Sequence, residues 1–451
     1  MTVIANKKEF LKHTMNNSGQ TDKNRTSLIK THSVIQKASH SFDLLERLKK
    51  KFPYPILCHH FGRPTIRETI DGIRQISLSG VLDVISIIPD QNAQEHFFRP
   101  MEMNPKQYPN GGVPLRSSDD MVALYKASQC GNFPLLQCCA GIQDFIKWAE
   151  MSVKTIHNSW ATIPLCWYSE LDRKSARTLE DAIIENQEVM KWYANHCIPV
   201  EVNESYQWSL REAHDSLAVA MAFLAAYNAK KMGVKNFITQ FMFNTPPGTK
   251  AIMDVAKMLA KLELISELED ESFTVYREVQ AGMAHFSNIP SIAKGQLASS
   301  TLISLILKPH ILHVEGFSEG DHNTLAGEII ESCQIVHGVL QDCMDGFPDL
   351  LCDFNIINRK DILVYEAKTL LESFKFLGAD SDDPMADPCV IARAVREGLI
   401  DTPFFKGFPS LKGEIKTRLI NGAWHSIDPL TNHPIDEETR MMIIFKRIKQ
   451  Q

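Results

Sequence analysis

Between residues 54 and 319 the chain repeats one pattern about eight times: a short apolar run ends in a polar or turn-forming cluster, and a stretch with helical periodicity follows. The runs are PILCHHFG (55–62), DVISIIPD (83–90), PLLQCCAG (134–141), KTIHNSW (154–160), PVEVNES (199–205), NFITQFMFN (236–244), FTVYREVQ (273–280) and HILHVEGFSE (310–319). Apolar runs of this length, alternating with amphipathic stretches, are what parallel strands covered on both faces require. Eight such units predict an α/β fold, a closed (β/α)8 TIM barrel. Barrels of this kind carry their chemistry at the C-terminal ends of the strands, so the tail of each run is where functional side chains are expected.

The 451 residues exceed the roughly 250 of a bare barrel. The surplus divides into an N-terminal polar, basic arm and helix (1–52, closing in LLERLKKKF), the barrel (53–345) and a C-terminal α+β appendage (346–451). A formal net charge of −6 gives no reason to expect a nucleic-acid partner. The ten cysteines form no CxxC pair, and reduced thiols in a cytoplasmic protein are expected. The longest apolar stretch, SLAVAMAFLAAY (216–227), is too short to cross a bilayer. Covering helices are predicted over 175–196 and 212–233, the second ending in Lys-Lys-Met-Gly. The aperiodic segment 91–120, rich in Pro, Asn and Gly, follows the second strand and has the length of a lid or binding loop.

Polar groups at the ends of the runs are His59, His60, Asp90, Gln94, Cys138, Cys139, His157, Asn158, Asn203, Glu204, Gln240, Asn244, Arg277, Gln280, Glu315 and Glu319. Histidines 59, 60 and 157 with a carboxylate suggest zinc. Adjacent residues of a strand point to opposite faces, however, so only one of His59 and His60 faces the axis, and no metal site is expected. His59 is expected in the core behind the sheet. Cys139 beside a histidine has the makings of a nucleophile, but a buried cysteine is more often a small apolar side chain. Glu315 and Glu319 read equally as an acid/base pair or as hydrogen-bonded exit residues. Glu204 and Glu315 are expected in the mouth because they cap strands there. The GxGxxG, P-loop, HExxH and GxSxG signatures are absent.

Across nearly its whole length the chain resembles the large (E, or epsilon) subunit of adenosylcobalamin-dependent glutamate mutase, or methylaspartate mutase. The likeness lies in CHHFGRPTIRETIDGIRQI with Gly62, LDVISIIPD with Asp83 and Asp90, and PLLQCCAGIQDFIKWAE with Gly141, Asp144 and Glu150. It continues in VEVNESY with Glu204, AAYNAKKMGVKNFIT, VQAGMAHFSNIPSIAKGQLASS and DPCVIARAVREGLIDTPFF. The resemblance implies a barrel that binds adenosylcobalamin against a separate small subunit, whose Asp-x-His-x-x-Gly motif supplies the cobalt-ligating histidine. This chain has no Asp-x-His, so a separate cobalamin-binding partner and a hetero-oligomer are expected. The implied reaction is a radical 1,2-rearrangement of a carbon skeleton, whose hard chemistry belongs to the cofactor.

The three arginines that clamp the substrate carboxylates in that family fall here on His60, Gln94 and Cys139. The family's fourth-strand glutamate has no acidic match near His157, Asn158 and Ser159, and its cofactor-contacting lysine and glutamate fall on Glu315 and Glu319. Gly62, Glu204, Phe286 and Glu319 are retained. A lost charge-assisted hydrogen bond costs about 1.5–3 kcal/mol, so three lost pairs remove glutamate affinity unless Arg63, Arg99, Arg116 or Arg277 replaces them. The expectation is a mutase-like isomerase acting on an amino or related carboxylic acid other than glutamate. Its catalytic residues would be Glu204 and His60, with substrate held by His60, Gln94, Cys139, Asn158, Glu204 and Gln280, and cofactor by Gly62, Phe286, Glu315 and Glu319. Two alternatives stand beside it: a true methylaspartate mutase with a rearranged clamp, and a barrel that has left cobalamin chemistry for a binding or assembly role.

Overall fold

The structure, a computed structural model, describes residues 43–107, 112–139, 141–172, 177–282, 286–343, 346 and 352–450. The N-terminal polar, basic arm falls mostly outside the described residues. Eight parallel strands form one sheet: β1 (Ile56–Phe61), β2 (Val84–Ile87), β3 (Leu135–Cys138), β4 (Ala161–Ile163), β5 (Val200–Val202), β6 (Asn236–Phe241), β7 (Thr274–Ala281) and β8 (Ile311–Val314). Their order is β3-β2-β1-β8-β7-β6-β5-β4, with a helix after each strand, which is the (β/α)8 barrel.

Seven strands fall on the expected runs, the seventh ending one residue beyond its run; the fourth does not. Residues 154–156 end the helix Phe145–Ile156, whose buried face is Phe145, Trp148, Ala149, Ser152 and Ile156. The 3.6-residue period wins there over a local apolar run. His157 turns the chain with φ 52°, and the strand follows as the three residues Ala161–Ile163.

The ends of the sheet order, β3 and β4, meet across a seam. Ser159 N donates to Leu136 O at 3.0 Å and Ser159 Oγ to the same oxygen at 2.9 Å. Asn158 Oδ1 accepts Cys138 N at 2.8 Å while its Nδ2 donates to Trp160 O at 2.9 Å. A side-chain amide thus stands in for ladder bonds that a three-residue strand cannot supply.

Alternation divides the strands cleanly. Leu57, Phe61, Ile85, Ile87, Leu136, Val279 and Val314 face the helices in one core cluster. Ile56, Cys58, Val84, Leu135, Trp160, Ile238 and Ile311 fill the lower barrel with Leu44. Leu44 belongs to the helix Leu44–Lys51, so the helix that ends the N-terminal arm closes the barrel floor. Lys51 and Arg47 reach Asp83 at 3.2 and 3.6 Å and fix it there.

The C-terminal part contributes the helices Phe354–Glu372, Phe374–Leu377, Pro388–Arg396 and Glu437–Ile448 and an antiparallel hairpin, β9 (Lys416–Ile420) and β10 (Ala423–Ile427). Leu363, Leu370 and Ile391 share a core with Leu217 and Leu264 of the barrel helices. A buried ion cluster joins the two parts. Asp215 meets Lys257 at 3.4 Å, Arg359 at 3.1 Å and Trp424 N at 3.1 Å, and Lys257 meets Asp254 at 3.0 Å.

Replacing Asn158 by Ala leaves a buried N–H and a buried carbonyl unpaired at the seam, at about 1–3 kcal/mol each. Chemical denaturation is expected to show a loss of roughly 2–4 kcal/mol. A loss under about 0.5 kcal/mol, the usual effect of a neutral surface change, would sink the seam assignment.

Candidate active site

Each strand sends one polar side chain to the middle of the barrel: His60, Ser86, Gln137, Thr162, Glu201, Gln240, Glu278 and His313, in strand order. The strand registers pair His60 with Ser86, Ser86 with Gln137, Thr162 with Glu201 and Gln240 with Glu278, which puts each pair on one face. His60 Nδ1 lies 2.8 Å from Ser86 Oγ, which donates to Gln137 Oε1. Gln137 Nε2 donates to Thr162 Oγ1 at 2.9 Å, and Thr162 Oγ1 to Glu201 Oε2 at 2.9 Å. Trp160 Nε1 donates to the same carboxylate oxygen at 3.0 Å. Glu201 lies close enough to Glu278 for their charges to interact, Glu278 Oε1 lies 2.9 Å from His313 Nδ1, and the His313 and His60 rings stand 4.3 Å apart, edge to face. Contacts thus run round the belt, while Gln240 Oε1 and Glu278 Oε2 are buried without a hydrogen-bond partner among the described residues.

Its electrostatics follow from burial. Two carboxyls in contact cannot both ionise in a dry interior. Desolvation, then Glu278, pushes Glu201 up to about 8, and desolvation pushes Glu278 up to about 7. Burial, then the neighbouring His313 and His59, holds His60 well below the usual histidine range, and burial also lowers His313. Near neutrality the belt therefore contains neutral imidazoles and a carboxyl pair that is not fully ionised.

Above the belt lie Cys139, Asn203, Gln280 and Glu315. Gln280 Nε2 donates to Glu315 Oε1 at 2.9 Å. Burial, then Glu319, holds the Glu315 carboxyl well above the ordinary range. The rim includes Tyr168 after β4 and Tyr206 and Arg211 after β5. Tyr168 lies close enough to Cys139, and Tyr206 to Glu315, for their charges to interact. The Arg211 guanidinium stacks 3.7 Å over the Trp167 ring and 5.2 Å from Phe404 of the C-terminal part. No lysine or arginine projects from the eight described strands into the barrel interior.

Of the residues expected in the site, His60, Cys139, Gln280 and Glu315 stand in or above the belt. Gln94 donates to Pro89 O at 2.7 Å from the helix Gln91–His96 at the edge of the mouth. Burial pushes the Cys139 thiol up to about 12, which leaves no thiolate for nucleophilic attack. Asn158 precedes β4 and is spent on the seam. Glu204, fully buried, accepts Leu165 N at 2.7 Å, Cys166 N at 3.1 Å and Trp208 Nε1 at 2.7 Å. It holds the loop after β4 and has no catalytic freedom. His59 faces outward, with Nε2 3.5 Å from Glu319.

The residues expected to hold adenosylcobalamin fit it poorly. A Cβ on Gly62 would stand 2.8 Å from Val113 Cγ2, so that glycine serves loop packing. Phe286 lies in the core cluster behind the sheet, against Gly282 and Gly320. Glu319 Oε1 accepts Gly316 N at 3.0 Å within its own turn. Only Glu315 opens on the mouth.

The candidate replacement cations are all engaged elsewhere: Arg63 with Asn323 O at 3.1 Å, Arg99 with Asp144 at 2.6 Å, Arg116 with Asp90 at 2.5 Å, and Arg277 with Lys308 O at 3.0 Å. Arg116 and Asp90 anchor the segment after β2, where Val113 N donates to Ile88 O at 2.8 Å and Asp90 N to Val113 O at 2.8 Å. Glu201, Glu278 and His313 escaped sequence reasoning because they lie within the runs and not at their tails. Their signal is a charged residue inside an otherwise apolar strand. Tyr168 was hidden by the misplaced fourth strand, and Arg211 by the helical turn Ser205–Ser209.

No family model matches the chain, and no curated protein matches it. Among solved structures it is similar to the DAHP synthase of Thermotoga maritima, at 10% identity over 64% of this chain and 71% of that one, with a TM-score of 0.40. It is also similar to N-acetylneuraminic acid synthetase from Leptospira borgpetersenii serovar Hardjo-bovis (10% identity, 69% and 92% covered, TM-score 0.38) and to the dihydropteroate synthase of Yersinia pestis (10%, 64% and 94%, 0.36). Likeness of that order says nothing of the site.

The raised carboxyls carry a signature in stability. Folded Glu201 and Glu278 keep protons that the unfolded chain releases near pH 4.3, so their contribution is full at low pH. It is lost as pH rises through about 7 and about 8. Between pH 5 and 8.5 the Tm of the Glu201→Gln variant is expected to gain on that of the unaltered chain. A difference in Tm that does not vary with pH would rule out the raised carboxyl of Glu201.

Proposed function

We propose that this chain is the substrate-holding barrel of an isomerase related to the cobalamin-dependent carbon-skeleton mutases, with a substrate that is not a dicarboxylate. One observation carries the choice of substrate: the interior holds three buried carboxyls, Glu201, Glu278 and Glu315, and no strand-borne cation faces them. A dicarboxylate would bring two more negative charges into that environment with no guanidinium to pair them. A neutral or cationic small molecule rich in hydrogen-bond donors meets complementary groups instead. Glu278 is the acid/base candidate: it is poised near neutrality, oriented by His313, and its Oε2 has no partner among the described residues. His60, half-buried, lines the floor beside it.

Adenosylcobalamin, shared with a small Asp-x-His-x-x-Gly subunit, is the cofactor the sequence resemblance implies, and when bound it supplies a carbon radical. Under the resemblance, Glu315 would be the residue of this chain to meet it. A second reading, an isomerase or lyase that works by proton transfer without cobalamin, is favoured by the packed state of Gly62, Phe286 and Glu319 and by the near-neutral carboxyl pair. Under either reading the substrate meets the same belt.

Adenosylcobalamin added to the chain with its small partner separates the two readings. A changed corrin absorbance supports the mutase reading. An unchanged spectrum, together with solvent deuterium entering the product, supports the second. Glu278→Gln is expected to lower kcat about 10²–10⁴-fold with the fold intact. Unimpaired turnover would remove Glu278 from the chemistry.

A further inference from the structure

Four consecutive strands place hydrogen-bond acceptors on one wall of the mouth. Gln280 is 2% exposed, and its Nε2 is committed to Glu315, which turns Oε1 away from that carboxylate. Gln280 Oε1 has no hydrogen-bond partner among the described residues, and neither do Gln240 Oε1, Asn203 Oδ1 or Glu278 Oε2, all of them buried atoms. With the Glu315 carboxyl, these groups line β5 to β8 from the belt to the rim. Among strand-borne side chains no lysine or arginine answers them. A buried acceptor in a folded protein is ordinarily paired, so a wall of unpaired acceptors marks a place for donors.

The chemistry of those donors is constrained. A hydroxyl brings acceptor lone pairs along with its proton, whereas an ammonium brings three donors and no acceptor. The wall also carries carboxyls whose burial is relieved by a positive charge. At the rim, the Arg211 Nε is buried and without a partner, while its Nη1 is bound to Gln207 O at 2.7 Å and Gln207 Oε1 at 3.0 Å. Tyr206 interacts with the charges of Glu315, Glu319 and Arg211, and Arg211 in turn with those of Asp172 and Glu204, so the guanidinium and the acceptor wall flank one residue.

We propose that the β5–β8 wall is an ammonium subsite and Arg211 the seat of a single carboxylate, so that the substrate is an amino monocarboxylic acid. The inference rests on the mouth being the active site. A cation beside Glu315 draws off its proton, so binding releases protons and tightens as pH rises.

The test is calorimetric titration of the full chain with 5-aminopentanoate, pentanoate and glutarate, in buffers of differing ionisation enthalpy. Expected are binding of 5-aminopentanoate at least tenfold tighter than of either acid, proton release, and tighter binding at pH 8 than at pH 6. Glu315→Gln is expected to weaken 5-aminopentanoate at least tenfold while leaving pentanoate unchanged, and Arg211→Gln to weaken both. Circular dichroism checks that each variant is folded, and Gln280→Leu repeats the wall test should Glu315→Gln unfold. Pentanoate or glutarate binding as tightly as 5-aminopentanoate would overturn the subsite, as would affinity that falls with rising pH, or no binding of any probe to the folded chain. Binding of 5-aminopentanoate as described, in a protein that isomerises no amino acid, would uphold the subsite and reject the isomerase reading. Turnover of a substrate without an amine would do the reverse.

Discussion

Two glutamates held against each other in a barrel interior without a lysine or arginine to neutralise them set the terms for everything above and below. Glu201 and Glu278 are tolerated because burial keeps them from ionising together and because Trp160 and Thr162 hydrogen-bond Glu201 while His313 meets Glu278. That arrangement demands partners on both sides, and the demand runs on through Gln137 and Ser86 to His60. A polar network held largely by its own members is rigid, and it divides the barrel into an apolar floor and a polar chamber. Removing one member leaves a buried group unpaired, which is why each position is costly to change singly.

The barrel could be read from the sequence because the repeat of apolar run and amphipathic stretch is dictated by burial on both faces of a parallel sheet. The fourth unit shows where that reading fails. Lys154-Thr155-Ile156 looks apolar locally, but Trp148, Ser152 and Ile156 repeat at helical spacing and bury one helix face. The strand itself is so short that Asn158 supplies part of its pairing. At the site, attention to strand tails found His60, Gln280 and Glu315 and missed Glu201, Glu278 and His313, which sit one pleat or more deeper. Glu204 misled because a carboxylate capping a strand looks the same in sequence whether it faces a ligand or ties down a loop. Only the three N–H donors around it tell the two apart.

Arg211 illustrates a different limit. Its position depends on Trp167 from the loop after β4 and on Phe404 from the C-terminal part, segments far apart in sequence. Thr402 Oγ1 donates to Arg211 O, and Thr417 Oγ1 donates to Glu212 O at 2.8 Å, so the appendage also fixes the backbone of that rim. The appendage is therefore part of the site's scaffold, joined to the barrel through the buried Asp215–Lys257–Arg359 cluster. No periodicity or motif announces such a dependence.

The helix Leu44–Lys51 beneath the strands makes the chamber a blind well. Whatever enters through the mouth must back out the same way, and a product must vacate before the next molecule descends. Protons are bound by the same geometry: with a mainly apolar layer beneath the belt, any proton it gains or gives up travels through the mouth, in company with the substrate or the water that follows it. Traffic in such a vessel is strictly one molecule at a time, and the pace of emptying it becomes as much a property of the fold as the chemistry at its floor.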